Sequence, residues 1–213
     1  GYPSASPFDT DTYMHRTTFR TCIYAQSAWI NAVDIAVEKK AMAFAVSRPP
    51  GHHAMFDQTM GFCIFNFAVG AAHYAIEKYG FDRIGIIDFD VHYGNGIADL
   101  VKHNPKIRYT SLHQEGIFPQ GRGKREEGGY LHNILNIPLP VGTMGKEYLF
   151  YFNTEAIPFI HEFSPQLVIV SAGYDALLSD ELAELSLVPG DYYQIGRALR
   201  LVFGDGIVFG LEG

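Results

Sequence analysis

The feature that most constrains this chain is a set of short apolar runs, each ending in a polar cluster. "AMAFAV" (41–46), "RIGIIDFD" (83–90), "KIRYTSL" (106–112), "QLVIVSAG" (166–173) and "GIVFGLEG" (206–213) are rich in branched and aromatic residues. They are strand-length and nearly continuous, as strands buried on both faces are. Between them lie stretches that read as helices: 17–39, 65–80 closed by Gly80, a segment near 96–103, 146–162 and 190–203. "LHNILNIPL" (131–139) returns to strand after a Gly-rich loop at 114–130. Strands alternating with helices predict an α/β domain with a mainly parallel sheet covered on both faces.

In such sheets, sites form beyond the carboxyl ends of the strands. Polar residues gather at that end of the runs here. "SRPPGHH", "DFDVHYGNG", "SLHQ", "SAGYDALLSD" and "GLEG" each follow an apolar segment, as one shared cleft requires. Bulk properties exclude several other classes. Hydrophobic residues make up 47% of the 213 and charged residues 18%, a composition that builds a core. The net charge of −7 gives no basic face for nucleic acid. Two cysteines, Cys22 and Cys63, are too few for a disulfide framework. No apolar run approaches the ~20 residues of a membrane span. The opening "GYPSASPFDTDTY" is polar and has no signal-peptide character, which points to an intracellular protein. The first residue is not Met and the last follows directly on an apolar run, so residues 1–213 are expected to be a single domain cut at both ends.

"IIDFDVHYGNG" is the most informative stretch. Asp88, Asp90 and His92 alternate with Phe89, Val91 and Tyr93, and an extended backbone would send the three polar residues to one side. Carboxylates with an imidazole suit a borderline metal such as zinc. A catalytic zinc takes three protein ligands, and Asp175 in "SAGYDA" is the candidate for the third. Without a metal, Asp90–His92 reads as a buried ion pair and Asp175 as a helix cap. The adjacent His52 and His53, in a Pro- and Gly-shaped loop, can supply a base for a water nucleophile and an acid for a leaving amine. The bland alternative for a loop histidine is a solvated side chain.

At these residues the chain resembles the histone deacetylase superfamily, in its class II-like and bacterial amidohydrolase branch. "RPPGHHA", "GFCIFN", "DFDVHYGNG", "SLHQEGIFPQG", "NIPLP", "SAGYDA" and "GLEG" carry the likeness, from about residue 41 to the end. The resemblance implies an arginase-like three-layer α/β/α fold and a zinc-dependent deacetylase acting on N-acetyl-lysine. It implies zinc on Asp90, His92 and Asp175, with His53 as the main base and acid and His52 in electrostatic support. Asp88 takes the position that pairs with His52, and Asn95 the position that orients His53. A structural potassium is implied on Asp88 and Ser111, with the carbonyls of Asp90, His92 and Leu112. Gly61, Phe62 and Phe118 match the channel that grips the acyl-lysine stem, Leu187 its mouth and Asp11 the rim. Asn95 departs from class I members, which carry Asp there. The family's transition-state Tyr follows the terminal Gly motif, and that position falls beyond Gly213.

Three other readings use the same residues. A two-manganese ureohydrolase needs further bridging aspartates, where this chain has Gly94-Asn95-Gly96. An acetylpolyamine amidohydrolase favours an acidic gate, where Leu187 is apolar. A binding module without the Tyr would hold zinc but not turn over. The expected partner is an acetylated lysine peptide or protein, or an acetylated small amine, with neither nucleic acid nor membrane.

Overall fold

A computed structural model describes residues 5, 6 and 9–213. A small antiparallel pair, β1 (Ala5–Ser6) and β2 (Asp9–Tyr13), precedes the long helix α1 (Thr18–Glu38). The remaining elements are β3 (Ala43–Ala45), α2 (Phe67–Tyr79), β4 (Ile84–Asp88), α3 (Asn95–Val101), β5 (Ile107–Gln114), β6 (Ile134–Leu139), α4 (Gly145–Tyr151), α5 (Ile157–Glu162), β7 (Leu167–Ala172), α6 (Pro189–Phe203) and β8 (Ile207–Leu211). Among the described residues no helix is long and apolar enough to cross a membrane.

Six strands form one sheet in the order β3-β8-β7-β4-β5-β6, and every neighbouring pair is parallel. The central strands β4 and β7 are buried along their whole length. Their side chains alternate between two cores, which is why they read as unbroken apolar runs. Ile84, Ile86, Leu167 and Ile169 join Trp29, Phe67 and the rest of the α1–α3 layer. Ile87, Val168 and Val170 join Tyr148, Phe152 and Leu199 in the α4–α6 layer. The architecture is therefore three-layered, with the sheet between two helical faces.

Local chemistry sets the element ends. The Asn66 side chain accepts a hydrogen bond from Val69 N at 3.1 Å and so caps α2, which ends on left-handed Gly80. One expectation needs correction. Residues 146–162 are not a uniform α-helix, because a π-helical segment, Phe152–Ala156, separates α4 from α5. Pro158 lies just beyond it and has no N–H to give to the preceding turn, so the helix there is locally widened.

Candidate active site

β4 is central, and its last residue sets the geometry. Asp88 lies in register with Ser111 on β5 and Ser171 on β7. The chain does not stay extended past it, contrary to the alternation argument. Asp90 N donates to Asp88 Oδ1 at 3.2 Å, and His92 N donates to Asp90 Oδ1 at 2.8 Å. Carboxylates that take the amide two residues on bend the backbone. Past the bend Asp90 and His92 lie beside Asp175, while Asp88 pairs with His52, whose Nε2 is also 3.8 Å from Asp90 Oδ1.

Asp90 and His92 turn toward the loop after β7, where Asp175 lies. One ligand atom from each of these three lies within 4.8 Å of the others. His92 Nδ1 is 3.1 Å from Asp90 Oδ1 and 2.9 Å from Asp175 Oδ2. Backbone amides hold the free lobes of the carboxylates: Val91 N donates to Asp175 Oδ1 at 2.9 Å and Gly213 N to Asp90 Oδ2 at 3.0 Å. A Cβ on Gly173 would stand 2.2 Å from Asp90 Oδ2, so glycine is required there for the approach.

Burial and repulsion from Asp90 push Asp175 up to about 6. Asp90 is held below the carboxylate range; burial opposes this, and the neighbouring His52 and His92 outweigh it. Burial lowers the His92 imidazole, but hydrogen bonds to Asp175 and Asp90 carry it to about 9. A buried carboxylate and a partly buried one thus share the His92 imidazole and still repel each other. Such a donor set, one nitrogen and two oxygens around a small volume, fits a divalent cation such as zinc.

Asp88 turns the other way. His52 Nδ1 lies 3.2 Å from its Oδ2, and the Tyr109 hydroxyl donates to the same oxygen at 3.0 Å. His53 instead meets Asn95, with Nδ1 2.8 Å from Oδ1. The Asn95 amide nitrogen donates to the His53 carbonyl at 3.3 Å, which fixes which end of the amide faces the ring. The amide oxygen only accepts, so His53 Nδ1 carries the proton and Nε2 keeps its lone pair. The two imidazoles stand 4.0 Å apart and both are buried. Their electrostatics differ. Burial lowers His52, but Asp90 and Asp88 raise it well above its ordinary value. Burial and the neighbouring His52 drive His53 well below its own.

The approach to the site is aromatic. Phe118 presents its ring edge-on to His53 at 5.0 Å, and a Cβ on Gly61 would strike the His53 ring at 2.2 Å. Phe62, at φ 63°, is 60% exposed. Its N–H donates to Thr12 Oγ1 at 3.0 Å, which brings β2 and the exposed Asp11 alongside. Leu187 requires correction. It is 0% exposed, its N–H donates to the Ala176 carbonyl at 3.1 Å, and it packs within the α4–α6 core. It therefore packs in the core, bonded to the residue after Asp175, and does not line an open mouth. Ser111 and Leu112 are both buried, and Ser111 Oγ sits 2.9 Å from His113 Nδ1. A cavity of about 530 Å³ lies beside Asn95, lined by Met55, Tyr93, Lys102 and Arg122 among others, and the three ligand residues are outside it.

Two residues of the site were not anticipated. Tyr109 was hidden inside an apolar strand, although a hydroxyl there was a signal. Glu212 reads in the sequence only as part of a terminal motif, yet it is a buried carboxylate that burial raises to about 7.

A model of the histone deacetylase domain matches residues 3–213. A Synechocystis protein described as uncharacterised is 42% identical over 96% of this chain and 67% of its own length. The chloroplastic histone deacetylase 10 of Oryza sativa subsp. japonica is 40% identical over 95% of this chain and 48% of its own. The crystal structure of the HDA15 HD domain superposes with a TM-score of 0.89 at 34% identity, covering 96% of this chain and 61% of that one. The chain thus spans between about half and two thirds of the length of these relatives.

Proposed function

The chain belongs to the histone deacetylase domain family, and from that premise we propose that its site is the centre of a zinc-dependent deacetylase acting on N-acetyl-lysine side chains. The observation that carries this reading is the position of a neutral imidazole beside a three-ligand set. His53 keeps its Nε2 lone pair because Asn95 occupies Nδ1, and its ring centroid lies 6.0 Å from that of His92.

Asp90, His92 and Asp175 would hold the zinc, which when bound supplies Lewis acidity to a carbonyl and to water. The remaining work falls to this chain's own residues. His53 Nε2 accepts a proton from the attacking water as the new C–O bond forms. The same nitrogen returns that proton to the amine as the C–N bond breaks, giving acetate and a free amine. His52, held against Asp88, keeps positive charge near the developing oxyanion. Asn95 fixes the His53 tautomer, and its amide oxygen stabilises an imidazolium less than a carboxylate would. Phe62, Phe118 and Gly61 would flank the substrate stem and exclude water, with Asp11 at the rim. Asp88 and Ser111, with the carbonyls of Asp90, His92 and Leu112, would hold a structural potassium beneath.

The test is metal analysis together with turnover of the full-length protein on an acetyl-lysine peptide and on acetylspermidine. The reading predicts one bound zinc per chain, loss of turnover with a chelator, inhibition by a hydroxamate, and preference for the peptide. A two-manganese content, or turnover that survives complete zinc removal, would contradict it. Preference for acetylspermidine would move the substrate to small amines.

A further inference from the structure

Glu212 follows directly on β8 and is 5% exposed. The proposed chemistry does not use it, yet a buried carboxylate is costly unless it is hydrogen-bonded. Its partners explain its presence. Gly51 N and His52 N both donate to Oε2, at 2.6 Å and 3.0 Å, and Ser171 Oγ donates to Oε1 at 2.9 Å. Two of these donors belong to the backbone of the tandem-histidine loop, far away in sequence. β3 and β8 are neighbours in the sheet, so the loop after one and the end of the other leave it side by side.

The same residue, His52, is also held through its carbonyl. Its carbonyl accepts from Gly96 N at 3.0 Å and Ile97 N at 3.1 Å. Gly51 packs closely on Phe67, where an added Cβ would lie only 2.9 Å away. The residue after Glu212 reaches the other half of the site: Gly213 N donates to Asp90 Oδ2, and Gly213 O accepts from Tyr174 N at 2.9 Å. One two-residue segment therefore ties the histidine loop to Asp90 and to the neighbour of Asp175.

We propose that Glu212 is a positioning residue that sets the height of His52 and His53 over Asp90, His92 and Asp175 through its bonds to the loop backbone. The clamp itself stands on geometry, and its catalytic consequence rests on the deacetylase reading. The action is through hydrogen-bond acceptance. Glutamine can reproduce it, with its oxygen accepting the two N–H groups and its NH₂ donating to Ser171 Oγ.

The experiment measures amide hydrogen exchange at Gly51 and His52, zinc content, and steady-state deacetylation in full-length Glu212→Ala and Glu212→Gln. Loss of the clamp should speed exchange at these amides by at least about 10-fold in Glu212→Ala, leaving it slow in Glu212→Gln. A loop displaced by about 1 Å should lower kcat by about 100-fold in Glu212→Ala, with KM within about 3-fold and zinc retained. Glu212→Gln should lose no more than about 5-fold in kcat, a rescue that a general packing defect would not show. Unchanged exchange in Glu212→Ala, or exchange in Glu212→Gln as fast as in Glu212→Ala, overturns the proposal. If Glu212→Ala does not fold, Glu212→Gln decides, because fast exchange or a kcat loss beyond about 100-fold in a folded, zinc-loaded protein overturns it. A wild-type protein with the predicted exchange pattern but no turnover would sink the deacetylase reading and leave the clamp standing.

Discussion

The two ends of the same three strands are built on opposite principles. At the amino ends of β4, β5 and β7, polar groups face water. Lys106 pairs with Asp82 across exposed surface, and Gln166 accepts from the Asp82 and Arg83 amides. At the carboxyl ends, Asp88, Ser111 and Ser171 are fully buried, and Asp88 and Ser171 draw in His52 and Glu212 from distant parts of the chain. Exposed ion pairs contribute little to stability, whereas buried unpaired charge is expensive. In these three strands the buried polar residues gather at the carboxyl ends, beside the ligand set.

The largest effect should come from the ligand set. Asp90→Ala or His92→Ala should lose bound zinc and turnover together, measured by metal analysis and peptide deacetylation on the same sample. Zinc retained with full activity would erase the contrast between the two ends. Next comes Gly173→Ala. Its Cβ would stand 2.2 Å from Asp90 Oδ2, and a displaced ligand should weaken zinc affinity by about 10–100-fold, read by competition with a chelator. Gly210→Ala sharpens the comparison differently, because it tests packing under the site. A Cβ there would lie 1.9 Å from the buried Trp29 ring, so a destabilisation of about 1–3 kcal/mol in denaturant melts is expected.

The smallest effect belongs to the amino end. Asp82→Ala should leave deacetylation unchanged and move the melting temperature little. Its pairing with Lys106 lowers the Asp82 pKa below the ordinary 3.8. The sign follows: whatever stability the pair adds is present above that value and fades as pH falls through the lowered one. Added salt should abolish it at any pH. An activity loss in Asp82→Ala comparable to that of the carboxyl-end variants would break the distinction.

The sheet was legible because the central strands are covered twice and so read as continuous apolar runs, with a polar cluster at each exit. The residues His52, His53, Asp90, His92 and Asp175 were legible because imidazoles and carboxylates stand out at such exits. Other features depend on contacts that carry no local signal. The bend at Asp90 arises from carboxylates taking nearby amides, where simple alternation assumes a straight strand. Leu187 looks the same in sequence whether it faces a channel or a core. Glu212 acts on backbone amides, and backbone amides are present at every non-proline position, so no residue type in the loop marks its partner. The widened turn at Phe152–Ala156 had a visible cue in Pro158, but helical periodicity outweighed it.

The most direct test compares the two adjacent histidines. His52→Ala and His53→Ala, each with zinc content measured on the same preparation, should be assayed for single-turnover cleavage of an acetyl-lysine peptide. Zinc should be retained in both. His53→Ala should lose about 1,000-fold and His52→Ala about 10-fold, since only His53 holds a free Nε2 for the proton. Equal losses, or a greater loss in His52→Ala with zinc intact, would contradict it.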